Sequence, residues 1–309
     1  MDELLFKLLK KGTTIDTLKT ELKLNNYQLT LKLNALKNKG YTIYRKNYYD
    51  LPSYHLASSQ VIKNTMYTPI FIQGGKVRFL LISDTHLCHV NDRVDLLENT
   101  YDYALKNDIK GIIHAGGLIE GNSEVVDNHE NIVKNSSALV QAKYVVKNYP
   151  RDNTITNYIL LGNHDSTTLN YSGFDISKFI ASKRLDMVFT GYRISNLKIN
   201  NDFIAIHHPF FKRNNHYYDQ EINSDFVTKK NIPSLIIRGH LHNSSLYSFD
   251  KSLVICVPAL YDKQNMIKGA WDVELTFDHN GKINNLELRP LLVEPKVVPV
   301  TKILKKIKN

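Results

Sequence analysis

Residues 77–86 read VRFLLISDTH, a run of apolar residues that ends in a carboxylate and an imidazole. Four further runs along the chain have the same character, with aliphatic residues followed closely by glycine or histidine. They are GIIHAGG (111–117), NYILLGNHD (157–165), FIAIHHP (203–209) and SLIIRGHLH (234–242). Short runs of this kind predict strands, and helical patterns lie between several of them. We therefore expect an α/β fold with polar side chains gathered at the carboxyl ends of its strands.

The composition is that of a folded protein without membrane segments. Of 309 residues, 42% are hydrophobic and 23% are charged, which is ordinary globular usage and allows one large domain or two. No apolar run approaches the ~18 residues of a membrane span, and the first residues have no signal-peptide pattern. The two cysteines, Cys88 and Cys256, are too few for a disulfide framework. These features predict a cytoplasmic protein with no membrane partner.

Five motifs stand at the ends of the apolar runs in a fixed order. They are Asp84-Thr85-His86, Gly116-Gly117, Gly162-Asn163-His164-Asp165, His207-His208-Pro209 and Gly239-His240-Leu241-His242. Four of the five match calcineurin-like metallophosphoesterases, whose motifs run DxH, GD, GNH(D/E), H and GHxH. Four motifs in the right order outweigh the alternative of satisfied core histidines, so residues from about 76 to 293 resemble that superfamily. The resemblance implies a four-layer αββα sandwich, which we assign to residues 68–295.

The resemblance also implies two divalent metal ions. Carboxylate and imidazole ligands suit borderline metals, and we expect Mn²⁺ in preference to Fe, Zn or Mg. Two ions ~3.5–4 Å apart can bind a phosphate ester and polarise it. By position in the motifs, the ligands would be Asp84, His86 and His242 for the first ion and Asn163, His207 and His240 for the second.

Two further assignments follow from the resemblance. The first histidine of the family's H-x-P motif is the ligand, so His207 is preferred to His208. His164 would protonate the leaving group or steady the phosphoryl oxygens, and Asp165 would orient it. These assignments rest on motif position alone.

The chain departs from the family pattern at Gly117, where the family has the aspartate that bridges both ions. The surrounding HAGGLIEGN (114–122) otherwise fits the family's GDLIEG-like run. Glycine offers no ligand atom, and two dications ~3.7 Å apart repel by on the order of 18 kcal/mol at an effective dielectric of ~20. Glu120, three residues along, is expected to face solvent or to lie behind the ligands rather than to swing in. We expect a weak second metal site, whether Gly117 reflects an inactivated variant, a natural pseudoenzyme or an enzyme that works with one metal.

The first 50 residues predict a small separate domain. Three helical segments, the third beginning at residue 26, precede a ribbon that alternates around Lys46–Asn47. This order resembles a winged helix-turn-helix, whose third helix usually enters the major groove. The leucines of that helix are expected to face mostly inward, and residues 51–67 are expected to be a linker. The outward residues, which are the expected contacts to nucleic acid, are Asn26, Gln28, Thr30, Lys32 and Lys37 on the helix and Arg45 and Lys46 in the ribbon.

Basic charge is concentrated at the two ends of the chain. Residues 1–66 contain ten Lys and one Arg against five acidic residues, and the tail 296–309 contains five Lys and no acid. Since the whole chain has a net charge of +10, the body between them is close to neutral. Basic ends indicate a polyanionic partner. The alternative for the tail is that its lysines are simply solvated, and the alternative for the winged helix is that it binds a protein. The +6 charge of the head favours nucleic acid as its partner. We expect DNA rather than RNA.

The residues after His207 mix aromatic and cationic side chains. Aromatic planes beside cations suit stacked bases and phosphates. An equally weighted alternative is that the aromatic residues belong to the core and the cationic ones to a solvated turn. The expected substrate contacts in this segment are Phe211, Lys212, Arg213, His216 and Tyr217.

Together these features predict a metal-dependent phosphodiester hydrolase that acts on nucleic acid in the manner of a nuclease, impaired by Gly117. The alternatives are a phosphodiesterase for small nucleotides and a DNA-binding regulator whose phosphoesterase domain is inactive.

Overall fold

A computed structural model describes residues 2–38, 43–48, 51–56, 75–121, 133–134, 137–209, 232–262 and 266–293. The first elements are α1 (Asp2–Lys11), β1 (Thr13–Thr14), α2 (Ile15–Leu22), α3 (Asn26–Asn38), β2 (Ile43–Tyr48) and β3 (Leu51–Leu56). The elements that follow are β4 (Lys76–Ile82), α4 (Val94–Lys106), β5 (Gly111–Ala115), α5 (Ala138–Asn148), β6 (Thr156–Leu161), α6 (Asn163–Ser172), α7 (Ile176–Ala181), β7 (Met187–Tyr192), β8 (Ile194–Ile199), β9 (Asp202–His207), β10 (Leu235–Arg238), β11 (Ser245–Phe249), β12 (Ser252–Cys256), β13 (Lys268–Phe277) and β14 (Ile283–Val293). None of the helices within these ranges combines the length and the apolar character that spanning a bilayer requires.

Two β-sheets make up the body of the chain from β4 onward. One has six strands in the order β14-β13-β4-β5-β6-β7, and the other has five in the order β11-β12-β10-β9-β8. Strands β4 to β7 are parallel to one another, and so are β9, β10 and β12 in the second sheet. All five apolar runs of the sequence form strands of these two sheets.

The two sheets share a core because both present apolar side chains to the space between them. Alternate residues of β4, including Phe79 and Leu81, belong to one apolar cluster with Ile237 of the second sheet. The opposite face of β4, which includes Leu80, packs against α4, α5 and α7. The described residues thus contain three layers of the expected αββα sandwich, namely helices, sheet and sheet.

The carboxyl ends of five parallel strands meet at one edge of this core. Strands β4, β5 and β6 end side by side in the first sheet, and β9 and β10 end side by side in the second. The five sequence motifs lie at the ends of these strands or directly after them. A hydrogen bond from the backbone N–H of His240 to Oδ2 of Asp84 (2.9 Å) joins the turns of the two sheets. The topology therefore brings motifs that are far apart in sequence to one place.

The amino-terminal helices pack around a small core of their own. Its members are Leu5, Leu9, Leu18, Leu22, Leu29, Leu36 and Ile43. Strands β2 and β3 pair antiparallel, and β1 pairs with β3 on the other side. Three helices followed by a ribbon are expected from the sequence, whereas β1 between α1 and α2 is additional. The identification of this unit as a winged helix stays a prediction.

The ribbon differs from the sequence expectation in two respects. Strand β3 occupies the first six residues of the expected linker, 51–67. Lys46 and Asn47 lie within β2, where they pair with Ser53 and Pro52, rather than at a turn. The strand is hard to find in the sequence because Pro52 cannot donate a ladder hydrogen bond and is unusual within strands. Pairing with β2, which depends on the fold, stabilises it.

Candidate metal centre

Asp84, His86 and His242 form a first cluster at the shared edge of the two sheets. Oδ1 of Asp84 lies 3.2 Å from Nε2 of His242 and 3.6 Å from Nε2 of His86. All three side chains are buried, and Nε2 of His86 has no hydrogen-bond partner among the described residues. Buried polar atoms are normally satisfied, so an open nitrogen beside a carboxylate fits a metal ligand. These three residues, expected as the ligands of the first ion, form a donor set that suits Mn, Fe or Zn.

Electrostatics keep the Asp84 carboxylate ionised. Burial opposes the charged form, but His242 and His86 outweigh burial and hold the pKa of Asp84 well below its usual range. Oδ2 of Asp84 also accepts hydrogen bonds from the backbone N–H of His240 (2.9 Å) and from the hydroxyl of Ser83 (2.7 Å). Donors of this kind favour the carboxylate over the carboxylic acid. Asp84 therefore contributes a negative charge to the first cluster.

The backbone around the first cluster adopts an unusual conformation. Asp84, His86, His240 and His242 have φ angles of +50°, +41°, +73° and +53°, a left-handed region that residues other than glycine rarely adopt. The backbone N–H groups of Asp84 and His86 donate to the oxygens of Gly116 (2.8 Å) and Gly117 (2.9 Å). Backbone strain of this kind is concentrated at functional sites. Here the hydrogen bonds hold the strained turns in place.

Asn163, His208 and His240 form a second cluster. Nε2 of His208 lies 3.0 Å from Oδ1 of Asn163, and the rings of His208 and His240 are 5.1 Å apart between centroids. Because the Nδ1–H of His208 donates to the oxygen of Ala115 (2.7 Å), its Nε2 lone pair faces the amide oxygen. Nε2 of His240 is buried without a partner among the described residues, and burial lowers the pKa of His240 to about 3. This cluster also fits a cation, but all of its ligands are neutral.

His208 occupies the place expected for His207. At the end of β9, consecutive side chains point to opposite faces of the sheet. His207 is buried on the far face, where burial and the charges of Arg238 and Arg193 lower its pKa well below the usual range. A Cβ at Gly162 would lie 2.5 Å from Nε2 of His208, so the His208 ring fills the space between the motifs. The expected assignment of His207 as a ligand is therefore corrected to His208, because the register of β9 decides which imidazole faces the site.

Gly116 lies beside the second cluster, and Gly117 lies beside the first. A Cβ at Gly116 would lie 2.3 Å from Nδ1 of His208, and a Cβ at Gly117 would lie 2.6 Å from Oδ1 of Asp84. A side chain at position 117 would thus point toward the carboxylate of the first cluster. The resemblance noted in the sequence implies a bridging aspartate at this position. With glycine there, Asp84 is the one carboxylate among the six candidate ligands of the two clusters.

Glu120 lies directly behind His86. Its Oε2 accepts a hydrogen bond from Nδ1 of His86 (2.6 Å), and the residue is only 8% exposed. Burial opposes ionisation, but the hydrogen bond and charge of His86 outweigh burial and lower the pKa of Glu120 to about 2. For His86, burial is likewise outweighed by Asp84 and Glu120, which raise its pKa to about 9. A carboxylate behind a metal-binding imidazole orients the ring and strengthens it as a ligand.

His164, the expected general acid, borders the first cluster. Its Nδ1–H donates to the backbone oxygen of Glu120 (2.9 Å), and its ring lies 4.6 Å from that of His86 between centroids. The His164 side chain is 31% exposed, so its Nε2 edge is available to a substrate. Burial and the charge of His86 lower the pKa of His164 to about 4. His86, Glu120 and His164 are also close enough to hold an ion, but the hydrogen bonds given above already engage their facing atoms.

Asp165 has a different role from the expected one. Its carboxylate is fully buried and accepts four backbone N–H groups, from Gly162 (2.7 Å), Gly117 (3.0 Å), Leu118 (3.2 Å) and Ile119 (2.8 Å). These bonds tie the turn after β5 to the start of α6. The expectation that Asp165 orients His164 is corrected, because neighbouring helix positions do not face each other. The backbone oxygen of Glu120 orients His164 instead.

No sequence motif points to Tyr261, which lies against the first cluster. Its ring is 4.4 Å from that of His86 and 5.3 Å from that of His242 between centroids. Tyr261 follows β12 in a turn where Ala259 forms a β-bridge with Ser83. The one sequence signal near Tyr261 is the apolar run LVICVPAL (253–260), which directly precedes it. The carboxyl end of this run lies at the same edge of the sheets as the five motifs.

The expected nucleic-acid contacts are partly described. On α3, Asn26 and Thr30 are exposed and Lys32 is half-buried. Gln28 exchanges hydrogen bonds with Asn25 (2.9 and 3.1 Å), which caps the helix. The side chains of Lys37, Arg45 and Lys46 lie outside the described part of the structure, as do the expected substrate contacts Phe211, Lys212, Arg213, His216 and Tyr217.

The exposed face of α3 is less polar than expected. Leu31 is 51% exposed and Tyr27 is 72% exposed. Leu29 and Leu36 face the small core. Each residue turns the chain by about 100° around the helix axis, so Leu31, two positions after Leu29, lies on the far side of the helix. The described leucines of this helix therefore face mostly inward, as expected, with Leu31 as the exception.

The sequence matches a known family model. That model, described as calcineurin-like phosphoesterase, matches residues 77–244. This stretch contains all six ligands of the two clusters. No curated protein matches the chain in sequence.

Several solved structures are similar to this chain at low sequence identity. An archaeal phosphodiesterase is 14% identical, with 70% of this chain and 100% of that chain covered and a TM-score of 0.43. The 5′-nucleotidase precursor from Thermus thermophilus is 12% identical, with coverage of 75% and 57% and a TM-score of 0.41. The phosphoesterase Yfce from E. coli is 11% identical, with coverage of 68% and 98% and a TM-score of 0.36.

Proposed function

The chain belongs to the calcineurin-like phosphoesterase family, and we propose that it is a metal-dependent phosphodiesterase that acts on nucleic acid. This proposal rests on the first cluster, where Nε2 of His86 and Nε2 of His242 both lie within 3.6 Å of Oδ1 of Asp84. A divalent ion held there, for which we propose Mn²⁺, would act as a Lewis acid on a phosphoryl oxygen and orient the ester.

We propose one firmly bound ion rather than two. The first cluster has the Asp84 carboxylate, and Glu120 adds a second negative charge behind His86. The second cluster has only neutral ligands, and a dication in the first cluster repels one in the second. Mn²⁺ should therefore fill the first cluster at concentrations that leave the second largely empty.

In the proposed reaction, His164 holds the proton that the leaving oxygen requires. Its Nδ1–H is engaged by the backbone oxygen of Glu120, so Nε2 is the atom that faces the substrate. With a pKa lowered to about 4, His164 has no proton on Nε2 at pH 7 in the free protein. An anionic phosphate beside the ring raises that pKa, which favours protonation of Nε2 when the substrate is bound.

Metal titration and hydrolysis of a generic diester test the proposed activity. We expect one tightly held Mn²⁺ per chain by electron paramagnetic resonance, and slow hydrolysis of bis(p-nitrophenyl) phosphate that stops on chelation. Asp84→Asn should abolish both, because it removes the charge but preserves the size of the ligand. The matched control is Asp95→Asn, an exposed aspartate on α4. Hydrolysis that survives chelation, or a wild-type protein that binds no metal, would contradict the proposal.

The charge distribution supports nucleic acid as the substrate class. The basic head should bind phosphates, and binding should weaken as salt rises because counterions are released. Removal of residues 1–56, which include β3, should weaken binding of duplex and single-stranded oligonucleotides, measured by fluorescence anisotropy at 50 and 200 mM salt. Deletion of the tail 296–309 provides the comparison. Equal affinity at low salt with and without the head would rule out the role proposed for it.

A second candidate function is a DNA-binding regulator with an inactive phosphoesterase domain. Gly117 favours it, because the clusters have a single charged ligand where the family pattern has two. DNA binding without turnover, in the wild type and in Gly117→Asp, would identify the regulator. Turnover of cyclic or other small nucleotides without cleavage of oligonucleotides would identify a small-nucleotide phosphodiesterase.

A further inference from the structure

The ring of Tyr261 packs against three histidines, two of which belong to the first cluster. Its ring lies 4.4 Å from that of His86, 5.3 Å from that of His242 and 5.3 Å from that of His89 between centroids. The contact with His242 is edge to face, at 85° between the planes. Two of these three histidines are metal-ligand candidates, so the ring borders the place where a bound phosphate would lie.

The backbone holds Tyr261 in this position. Tyr261 forms a β-bridge with Asp92, and the backbone N–H of Asp262 donates to the oxygen of Asn91 (2.9 Å). The bridge between Ala259 and Ser83 attaches the start of the same turn to the residue before Asp84. Tyr261 is thus attached on both sides to the chain around the first motif, which makes it a rigid wall of the site.

Within the described part of the chain, the hydroxyl group of Tyr261 is a donor without an acceptor. It makes no hydrogen bond to any residue that the structure describes, although the residue is only 8% exposed, and it is not fully enclosed. A phenol keeps its proton at neutral pH, so this hydroxyl is available as a donor. A tyrosine hydroxyl at such a position normally finds a partner.

We propose that the hydroxyl of Tyr261 donates a hydrogen bond to a phosphoryl oxygen of the substrate held beside His86 and His242. This role rests on the proposed function, since it requires a phosphate at the first cluster. Phosphate oxygens are strong acceptors for such a donor. A neutral donor on the wall of the first cluster would add one hydrogen bond to the phosphate contacts that a bound ion offers.

Tyr261→Phe tests this role because it removes the hydroxyl and keeps the ring that packs on the histidines. We expect inorganic phosphate to bind the Mn²⁺-loaded variant about tenfold more weakly than the wild type by calorimetry. The affinity for Mn²⁺ alone should stay within about twofold, since no metal ligand changes. The matched control is Tyr158→Phe, in the middle of β6, where the ring packs against the core between the sheets.

Three outcomes would overturn the proposal. Equal phosphate affinity in Tyr261→Phe and the wild type would show that the hydroxyl does not contact phosphate. A loss of Mn²⁺ affinity as large as the loss of phosphate affinity would show that Tyr261 only supports the ligands. A wild-type protein that binds no Mn²⁺ would refute the proposed function, and the role of Tyr261 with it.

Discussion

Replacement of His164 by alanine is expected to lower phosphodiester turnover by ~10²–10⁴, which is the range for a lost general acid or base. The Mn²⁺ content should stay the same, because the imidazole is not a ligand of the first cluster. Its Nδ1–H is held by the backbone oxygen of Glu120 (2.9 Å), and the remaining nitrogen is the one that meets the leaving oxygen. Turnover and metal content are measured on the same samples.

The matched control for this change is His279→Ala. His279 is exposed at the turn between β13 and β14, far along the chain from any of the five motifs. Its removal should leave both turnover and metal content unchanged. If His164→Ala also retained full turnover, the measured activity would belong to a contaminant or to a different site.

Replacement of Gly117 by aspartate is expected to bring a second Mn²⁺ into the protein and to raise turnover. The new carboxylate would be shared between a cluster with one negative ligand and a cluster with none. It would offset the repulsion between two dications, which otherwise dominates at such short range. Elemental analysis and hydrolysis rates for both proteins measure the two effects.

The geometry at position 117 sets the cost of this change in stability. The φ of Gly117 is +69°, and a Cβ there would lie 2.6 Å from Oδ1 and 3.0 Å from Cα of Asp84, so the carboxylate and the turn that holds it must shift. Aspartate tolerates the left-handed region better than most residues, and Asp84 itself has a φ of +50°. We expect a loss of ~1 kcal/mol in the free energy of unfolding.

Gly117→Ala separates the effect of strain from that of the carboxylate. It introduces the same Cβ without a ligand atom, so it should lose stability and gain neither metal nor turnover. Two tightly held ions and full activity in the protein with Gly117 would overturn this account of the site. A Gly117→Asp variant that folds but gains neither metal nor turnover would favour the regulator.

The sequence by itself determines the architecture around the site. Apolar runs that end in Asp84-Thr85-His86 and Gly239-His240-Leu241-His242 predict strands and the polar turns after them, because both are local properties of the chain. The structure contains these strands, and it brings Asp84, His86 and His242 together as expected. The missing carboxylate at Gly117 is likewise visible in the sequence, since it concerns the identity of one residue.

Only the tertiary structure decides which side chains face one another. Adjacent residues such as His207 and His208 differ by the face of the sheet that each occupies, and this depends on how the two sheets pack. In the same way, Asp165 accepts N–H groups from the turn after β5, and Glu120 reaches His86. Tyr261 meets the site through a turn that contains no motif. These contacts join residues that are far apart in the chain, so their geometry follows from the fold and not from any local pattern of residues.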